Sequence, residues 1–324
     1  MVNIALIGVG RWGINILRTL PRIAGCRVAA ICNTDTTDAS ALLTSPAAII
    51  TRDYHELLGR PDIDGVIIAT PATTHTTIAL PFIKRGTPTF IEKPLATDEV
   101  SAVALQEAAR LKNTLVMVGH IHLYNPAYLT LKSLVTKIGK IRLVLFEGMN
   151  NGPYRSDTSA LWDWAPHDVA LALDLLRSEP DHIQAWGINV LRPTTNLYDV
   201  AALKMSFPNN VQVLSLVSWL SPEKRKKLTV IGENSTVVFD DTAAKKVIFY
   251  ENMGPQVQAE NVTRQEPTIS YPHYSSESPL QRELQAFIQS ISTHQVPPTS
   301  LEQGVTTVRI IAAAEKSIAA HSSA

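Results

Sequence analysis

The hexapeptide Gly8-Val9-Gly10-Arg11-Trp12-Gly13 constrains this chain more than any other feature, because it joins an apolar run at 3–7 directly to a helical run at 14–20. A strand that enters a helix through so short a connection needs a tight turn, supplied here by Gly8. Gly10 lets the backbone approach a pyrophosphate, and Gly13 allows the helix to pack closely on the strand. The unpaired N–H groups of the helix's first turn then offer a ready anion site. A bare GxGxxG also describes a merely tight turn; its place after a strand and before a helix, within a βαβ pattern, favours a dinucleotide. Arg11 and Trp12 join the three glycines as cofactor-contacting candidates.

Further apolar runs rich in Val and Ile follow at 27–32, 65–69, 89–91 and 115–118, separated by helical candidates at 54–58, 76–85 and 98–112. Strands alternating with helices predict an α/β domain, a doubly wound parallel sheet of the Rossmann kind with right-handed crossovers. Beyond Gly119 the pattern changes. Helices are expected near 127–136 and 167–176, and strands at 141–146, 183–191, 200–207, 211–220, 228–231 and 236–239. Turn residues such as Pro208-Asn209-Asn210 and Gly232-Glu233-Asn234 join several of them, which predicts an α+β domain on a large, mostly antiparallel open sheet. Residues 252–279, rich in Pro, Gln, Ser and Glu, read as an irregular loop before closing helices at 280–292 and 301–320. A chain of 324 residues suits two domains, assigned to 1–120 and 121–324, with the closing helices able to pack back on the first.

Lys and Arg together number 29, matched by 29 Asp and Glu, so no global positive field draws in nucleic acid or an anionic membrane. A small-molecule partner is the expectation. Cys26 and Cys32 lie in or beside one buried-strand pattern and read as small core residues, which excludes a disulfide framework. No metal site is expected unless His120, His122 and His167 converge. The first residues show no basic leader or cleavage pattern, and no apolar run reaches the length of a membrane span, so a cytoplasmic protein is expected.

Three further motifs carry chemistry. The second strand runs into Asn33-Thr34-Asp35, where NAD enzymes hold the ribose hydroxyls with an acid. Asn33 occupies the acidic position and Asp35 follows, and an inward Asp35 would repel a 2′-phosphate, which favours NAD and leaves NADP open; Asp35 capping the next helix is the alternative. Glu92-Lys93-Pro94 emerges from the C-terminal end of a strand, the edge where open α/β sheets bind ligands. A lysine there can hold a substrate oxygen that gains negative charge, although an isolated Glu-Lys is ordinarily a surface ion pair. In Trp162-Asp163-Trp164-Ala165-Pro166-His167-Asp168, four residues separate Asp163 from His167, so a helix would project both from one side. A histidine can remove a hydroxyl proton with a carboxylate orienting it. In the plainer alternative Asp163 caps the helix, Pro166 takes its first turn and His167 is a hydrogen-bonded, partly buried residue.

Taken together, the glycine-rich turn, Thr70-Pro71 with His75, Glu92-Lys93-Pro94 and Gly119-His120 resemble the Gfo/Idh/MocA oxidoreductase family over nearly the whole chain. The resemblance implies a catalytic or substrate-positioning Lys93 before a cis Pro94, His167 as general base with Asp163 in support, and Asp168 in a structural or substrate-contacting role. It also implies Thr70, Pro71, His75 and Glu92 at the cofactor. Gly119 to Pro126, the LWDWAPHD run and Ser218-Trp219-Leu220 further resemble the branch that oxidises the 3-hydroxyl of UDP-N-acetylglucosamine or its uronic acid, and there Tyr124, Asn125, Arg155 and Asp157 would line the sugar pocket. An inositol, polyol or free-sugar enzyme working in either direction is the alternative, and a non-catalytic dinucleotide sensor a third reading. Lys224-Arg225-Lys226-Lys227 reads as a solvated turn rather than a diphosphate contact. A homodimer or homotetramer is expected through the apolar sheet face around 211–220.

Overall fold

Short chain segments apolar on both faces, rich in Val and Ile, suit central strands of a parallel sheet, and the first third supplies several. The computed structural model describes residues 1–35, 48–195, 197–253, 256–258, 261–263 and 266–322. Contact clustering divides the chain into two units, Met1–Tyr124 with Glu277–Arg309, and Asn125–Ser276 with Ile310–Ala324.

In the first unit, β1 (Val2–Ile7), β2 (Cys26–Cys32), β3 (Ile49–Thr51), β4 (Gly65–Ile68), β5 (Thr89–Glu92) and β6 (Val116–Gly119) form a six-stranded sheet in the order β3-β2-β1-β4-β5-β6. Every pairing is parallel. The strand order reverses direction at β1, so a crevice opens beyond the C-terminal ends of β1 and β4, and the glycine-rich turn leaves β1 at that point. Helices α1 (Gly13–Thr19), α2 (His75–Lys84) and α3 (Glu99–Lys112) connect the strands. The three-residue β3 is too short to show a period and was not expected from the sequence; residues 54–57, expected as a helix, form a 3₁₀ turn capped by Asp53.

Helix α6 (Pro279–Thr293) completes this unit by laying Leu280, Leu284, Phe287, Ile288 and Ile291 against Ile4, Leu6, Ile31 and Phe90. Those positions repeat at helical spacing, so one face is apolar and the other polar. Glu283, wholly buried, falls on the apolar side.

The second unit holds α4 (Pro126–Leu134), β7 (Ile141–Asn151), α5 (Ala160–Leu176), β8 (His182–Ile188), β9 (Val200–Phe207), β10 (Val211–Ser218), β11 (Leu220–Gly232), β12 (Thr236–Asp240) and β13 (Val247–Glu251). Short strands β14 (Gln256–Gln258), β15 (Asn261–Thr263) and β16 (Thr268–Ser270) follow. The main sheet runs β16-β13-β12-β11-β7-β10-β9-β8, antiparallel except where β10 lies parallel to β7. The last helix, α7 (Leu301–Ser322), has residues in both units.

Two expectations need correction. Residues 252–279 are not wholly irregular, since β16 pairs with β13 and β14 pairs with β15. Lys224-Arg225-Lys226-Lys227 is no turn: it lies in β11, paired with β7 and β12, because alternate side chains of the run have partners on opposite sheet faces. Arg225 reaches Glu147 and Glu223, while the Lys226 ammonium stands 5.4 Å from the Trp164 ring centroid. Among the described residues, no helix is long and apolar enough to cross a membrane.

Helix α5 begins at Ala160, with the Ser159 hydroxyl accepting the Trp162 N–H, and ends at Arg177 in a left-handed conformation. Ser159 is buried, so its hydroxyl is the cap that answers that amide, with no solvent to replace it. Ser159→Ala is expected to lower unfolding free energy by about 1 kcal/mol, measured by urea denaturation, with the far-ultraviolet spectrum unchanged.

Candidate active site

Steric exclusion shapes the glycine-rich turn. A Cβ on Gly13 would stand 2.0 Å from the Gly8 carbonyl oxygen, and one on Gly8, whose φ is +92°, would stand 2.8 Å from the Ala69 carbonyl. Neither position admits a side chain. Gly10 is exposed with nothing within 4 Å of its would-be Cβ, which leaves open space above the backbone where a pyrophosphate can approach. The turn is tied down by Gly8 N–H donating to the Cys32 carbonyl at 2.9 Å and Val9 N–H donating to Asn33 Oδ1 at 3.0 Å. Asn33 therefore braces the turn with its oxygen and donates its amide hydrogen to the Asp35 carbonyl. Arg11, Trp12 and Asp35 are exposed around this cradle.

The other first-unit candidates form a frame behind the turn. His75 is buried, with Nδ1 2.8 Å from the Pro94 carbonyl and Nε2 3.0 Å from the Thr70 carbonyl, so it ties the loop after β4 to the one after β5. Pro71 is exposed at the mouth of that loop. Lys93 is half-buried before a cis Pro94. Glu92 is buried, its Oε1 accepting the Trp12 indole N–H at 2.6 Å and its Oε2 the Lys93 amide at 3.3 Å. Burial pushes the Glu92 carboxyl up to about 7, opposed by the Trp12 hydrogen bond and the Lys93 charge. His120 lies next to this region, buried, and burial with the Lys93 charge pushes its imidazole down to about 4. Tyr124, expected at the sugar, is buried and shares a 3.1 Å hydrogen bond with Thr299.

In the second unit, α5 raises Asp163 and His167 from one side, one turn apart. Both are half-buried, whereas Trp162, Trp164, Ala165, Pro166 and Asp168 are buried. The plainer reading of this segment fails in two respects: Ser159, not Asp163, caps the helix, and Pro166 stands inside it rather than in its first turn. Asp163 Oδ2 accepts the indole N–H of Trp219 at 3.2 Å. Arg155 and Asp157 make a two-pronged ion pair at 2.9 and 2.7 Å, which raises the Arg155 guanidinium, with Asp163 adding to it, and lowers the Asp157 carboxyl. Asn125 is buried and fully engaged; it caps α4 through the Ala127 N–H and donates to Asp241.

Asp168 is buried and accepts the Ser215 hydroxyl at 2.6 Å; burial pushes its carboxyl up to about 7, against the Ser215 bond and the Lys226 charge. Trp219 entered the sequence reading only within Ser218-Trp219-Leu220, and Glu283 was missed, although it left a signal, a charge in the apolar phase of a helix. Among the described residues, no three His, Cys, Asp or Glu side chains cluster closely enough to hold a metal ion.

Two outcomes follow from this geometry. Gly13→Ala should cost about 1–3 kcal/mol of stability through overpacking and abolish measurable NAD binding, while Gly10→Ala should keep the stability and still weaken NAD binding, both read by urea denaturation and NAD titration. Because the folded Asp168 carboxyl sits above its unfolded value, its contribution to stability is complete below about pH 4 and lost as pH rises through about 7. Asp168→Asn, which cannot ionise, should therefore gain on the wild type in denaturation midpoint as pH is raised across that window; a constant difference at every pH would contradict the burial argument.

The comparisons with known proteins agree with this frame. Residues 2–120 match the family described as an oxidoreductase family with an NAD-binding Rossmann fold, and residues 128–238 match the GFO/IDH/MocA C-terminal domain. Inositol 2-dehydrogenase 2 of Saccharopolyspora erythraea is 31% identical over 185 residues, 55% of each chain, so the match spans only about half the length of this curated relative. A candidate oxidoreductase from Magnetospirillum magnetotacticum MS-1 superposes with a TM-score of 0.84 at 32% identity, covering 96% of this chain and 99% of that one. UDP-N-acetylglucosamine 3-dehydrogenase from Acidithiobacillus ferrooxidans superposes with a TM-score of 0.83 at 20% identity over 98% of both chains, a likeness of fold. The parallel sheet, the glycine cradle that fits NAD and these matches carry one conclusion: the chain belongs to the Gfo/Idh/MocA family of oxidoreductases.

Proposed function

We propose that this protein is an NAD-dependent dehydrogenase that oxidises a ring hydroxyl of a cyclic polyol or sugar. The observation that carries the reading is α5, a rigid helix that sets Asp163 and His167 one turn apart and half-buried above a wholly buried face. Rigid elements hold catalytic groups to the tolerance that proton transfer demands. NAD, when bound, supplies the hydride acceptor. His167 takes the hydroxyl proton as general base, because imidazole ordinarily exchanges protons near neutral pH. Asp163, itself fixed by the Trp219 indole, orients His167. Lys93 offers its ammonium to the substrate oxygen as negative charge develops there. Arg155 and Asp157, one exposed and one half-buried side chain beside Asp163, are assigned to the substrate's other hydroxyls.

A small polyol or sugar is favoured over a nucleotide sugar. The basic run of β11 is poorly placed to meet a diphosphate, since Arg225 is paired with Glu147 and Glu223 and Lys226 lies over Trp164. The inositol 2-dehydrogenase similarity points the same way. Oxidation of a UDP-N-acetylhexosamine at its 3-hydroxyl is the second reading, favoured by the fold likeness over nearly all of a UDP-N-acetylglucosamine 3-dehydrogenase.

Purified protein given NAD with inositols, free sugars and UDP-amino sugars should reduce NAD with a cyclic polyol or sugar, followed by nicotinamide absorbance. His167→Ala is expected to lower kcat by about 10²–10⁴-fold with NAD affinity kept, and Asp163→Asn to lower it less. Turnover confined to UDP-amino sugars would replace the substrate class, and full activity of His167→Ala would remove the assigned base. We further assign self-association to the outer face of the second sheet, where Trp186, Ile188, Leu214 and Leu216 stand exposed on β8 and β10. Leu214→Glu with Leu216→Glu should shift the mass measured by light scattering to that of a monomer.

A further inference from the structure

Glu92, His120 and Glu283 are titratable side chains buried in the first unit. Glu92 and Glu283 differ in one respect. Glu92 accepts the Trp12 indole N–H at 2.6 Å and the Lys93 amide at 3.3 Å, with the Lys93 charge beside it, whereas neither Glu283 oxygen has a hydrogen-bond partner among the described residues. Two buried carboxyls that repel one another cannot both ionise cheaply, and the charge settles on the one with donors. Burial and the Glu92 charge accordingly drive the Glu283 carboxyl well above its ordinary range, so that it keeps its proton while Glu92 titrates near 7. The room for the Glu92 carboxylate is made by Gly119, whose Cβ would stand 2.8 Å from Oε2.

The titratable groups facing the pair are few. Lys93 and His120 lie beside Glu92, with His120 held neutral by burial, and Tyr124 lies toward Glu283 with its hydroxyl on Thr299. On α2, His75 is engaged with the Thr70 and Pro94 carbonyls. Arg18 of α1, Arg22 of the following turn and Lys84 at the far end of α2 are exposed.

We propose that Glu92 is a positioning residue that fastens the glycine-rich turn, through Trp12, to the backbone of Lys93, and that it does so only while Glu283 retains the proton of the pair. One carboxylate thus spans the two segments that the cofactor must meet together, and its charge decides how firmly they are joined. Hydrogen bonds to a charged acceptor are about twice as strong as neutral ones. As pH falls through the Glu92 transition the carboxylate becomes an acid, the clamp loosens, and NAD should bind more weakly by about tenfold. The proposal concerns NAD binding and stands apart from the substrate reading, which can fail without it.

The test follows the Trp12 indole N–H resonance, assigned with Trp12→Phe, together with the NAD dissociation constant on the full-length protein between about pH 5.5 and 9. The wild type should show one indole transition near neutrality, with NAD binding tightening about tenfold as pH rises through it. Glu92→Gln should lose both transitions and hold the weaker, acid-side affinity at every pH. Glu283→Gln, a neutral isostere, should leave the midpoint unmoved; a midpoint that drops in this variant would mean that Glu283 carries charge, and would overturn the assignment of the proton. A flat wild-type indole resonance, or a transition that survives in Glu92→Gln, would overturn the clamp. If Glu92→Gln does not fold, the wild-type transition and the Glu283→Gln midpoint still decide between these outcomes.

Discussion

The architecture of the first unit depends on a single close approach, that of Gly13 to the carbonyl of Gly8. With no Cβ at either position, β1 passes into α1 within five residues, and α1 can lie back against β1 and α6. The same closeness starts α1 beside the crevice where the strand order reverses. The remaining bonds at this point are consequences. Cys32 and Asn33 at the end of β2 take the turn's amides, and Ala69 at the end of β4 donates to the Ile7 carbonyl at 2.8 Å. Three parallel strands therefore meet the turn at their C-terminal ends, and a substitution that swells it disturbs all three.

Much of this was legible in the sequence, and the legible part shares a physical character. The alternation of apolar runs with helical ones gave the parallel sheet, because buried parallel strands are apolar on both faces and the period changes sharply at each helix. Glycines at fixed spacing marked the cradle, because only they fit. Asp163 and His167 could be placed on one side of a helix from their spacing alone. The misreadings have a common cause as well. Whether Lys224 to Lys227 is a turn or a strand is decided by partners far along the chain, Glu147 and Trp164, which no local window contains. Three-residue strands such as β3 and β16 owe their existence to neighbours rather than to any period of their own. Asn33 stood where an acid was sought, and its role as a brace for Val9 depends on a turn that local sequence does not describe.

Buried polar groups separate what the fold needs from what it tolerates. Asp199, wholly buried, accepts the Val190 and Leu191 amides and so closes the bend after β8, a structural use that repays its desolvation. Glu283 has no such use as an acceptor among the described residues, and a leucine in its place would suit the apolar face of α6 better. An ionisable side chain kept, protonated, where packing would prefer an apolar one acts through its electrostatic neighbour, and here the neighbour is the carboxyl of Glu92.

The titrations of the buried groups also oppose one another. Glu92 and Asp168 have folded values raised to about 7, so each contributes stability that is complete below its unfolded value and lost as pH rises through about 7. His120 is the reverse case: its folded value near 4 lies below its ordinary 6.5, so protonation in the unfolded chain erodes stability as pH falls through that interval. The carboxyl terms therefore slope downward with pH over a range in which the histidine term slopes upward. The histidine offsets at most one of the carboxyl terms, and its slope is spent above about 6.5, so the fold still loses stability as the carboxyls ionise toward pH 7; Glu283, raised well above its ordinary range, extends that loss further.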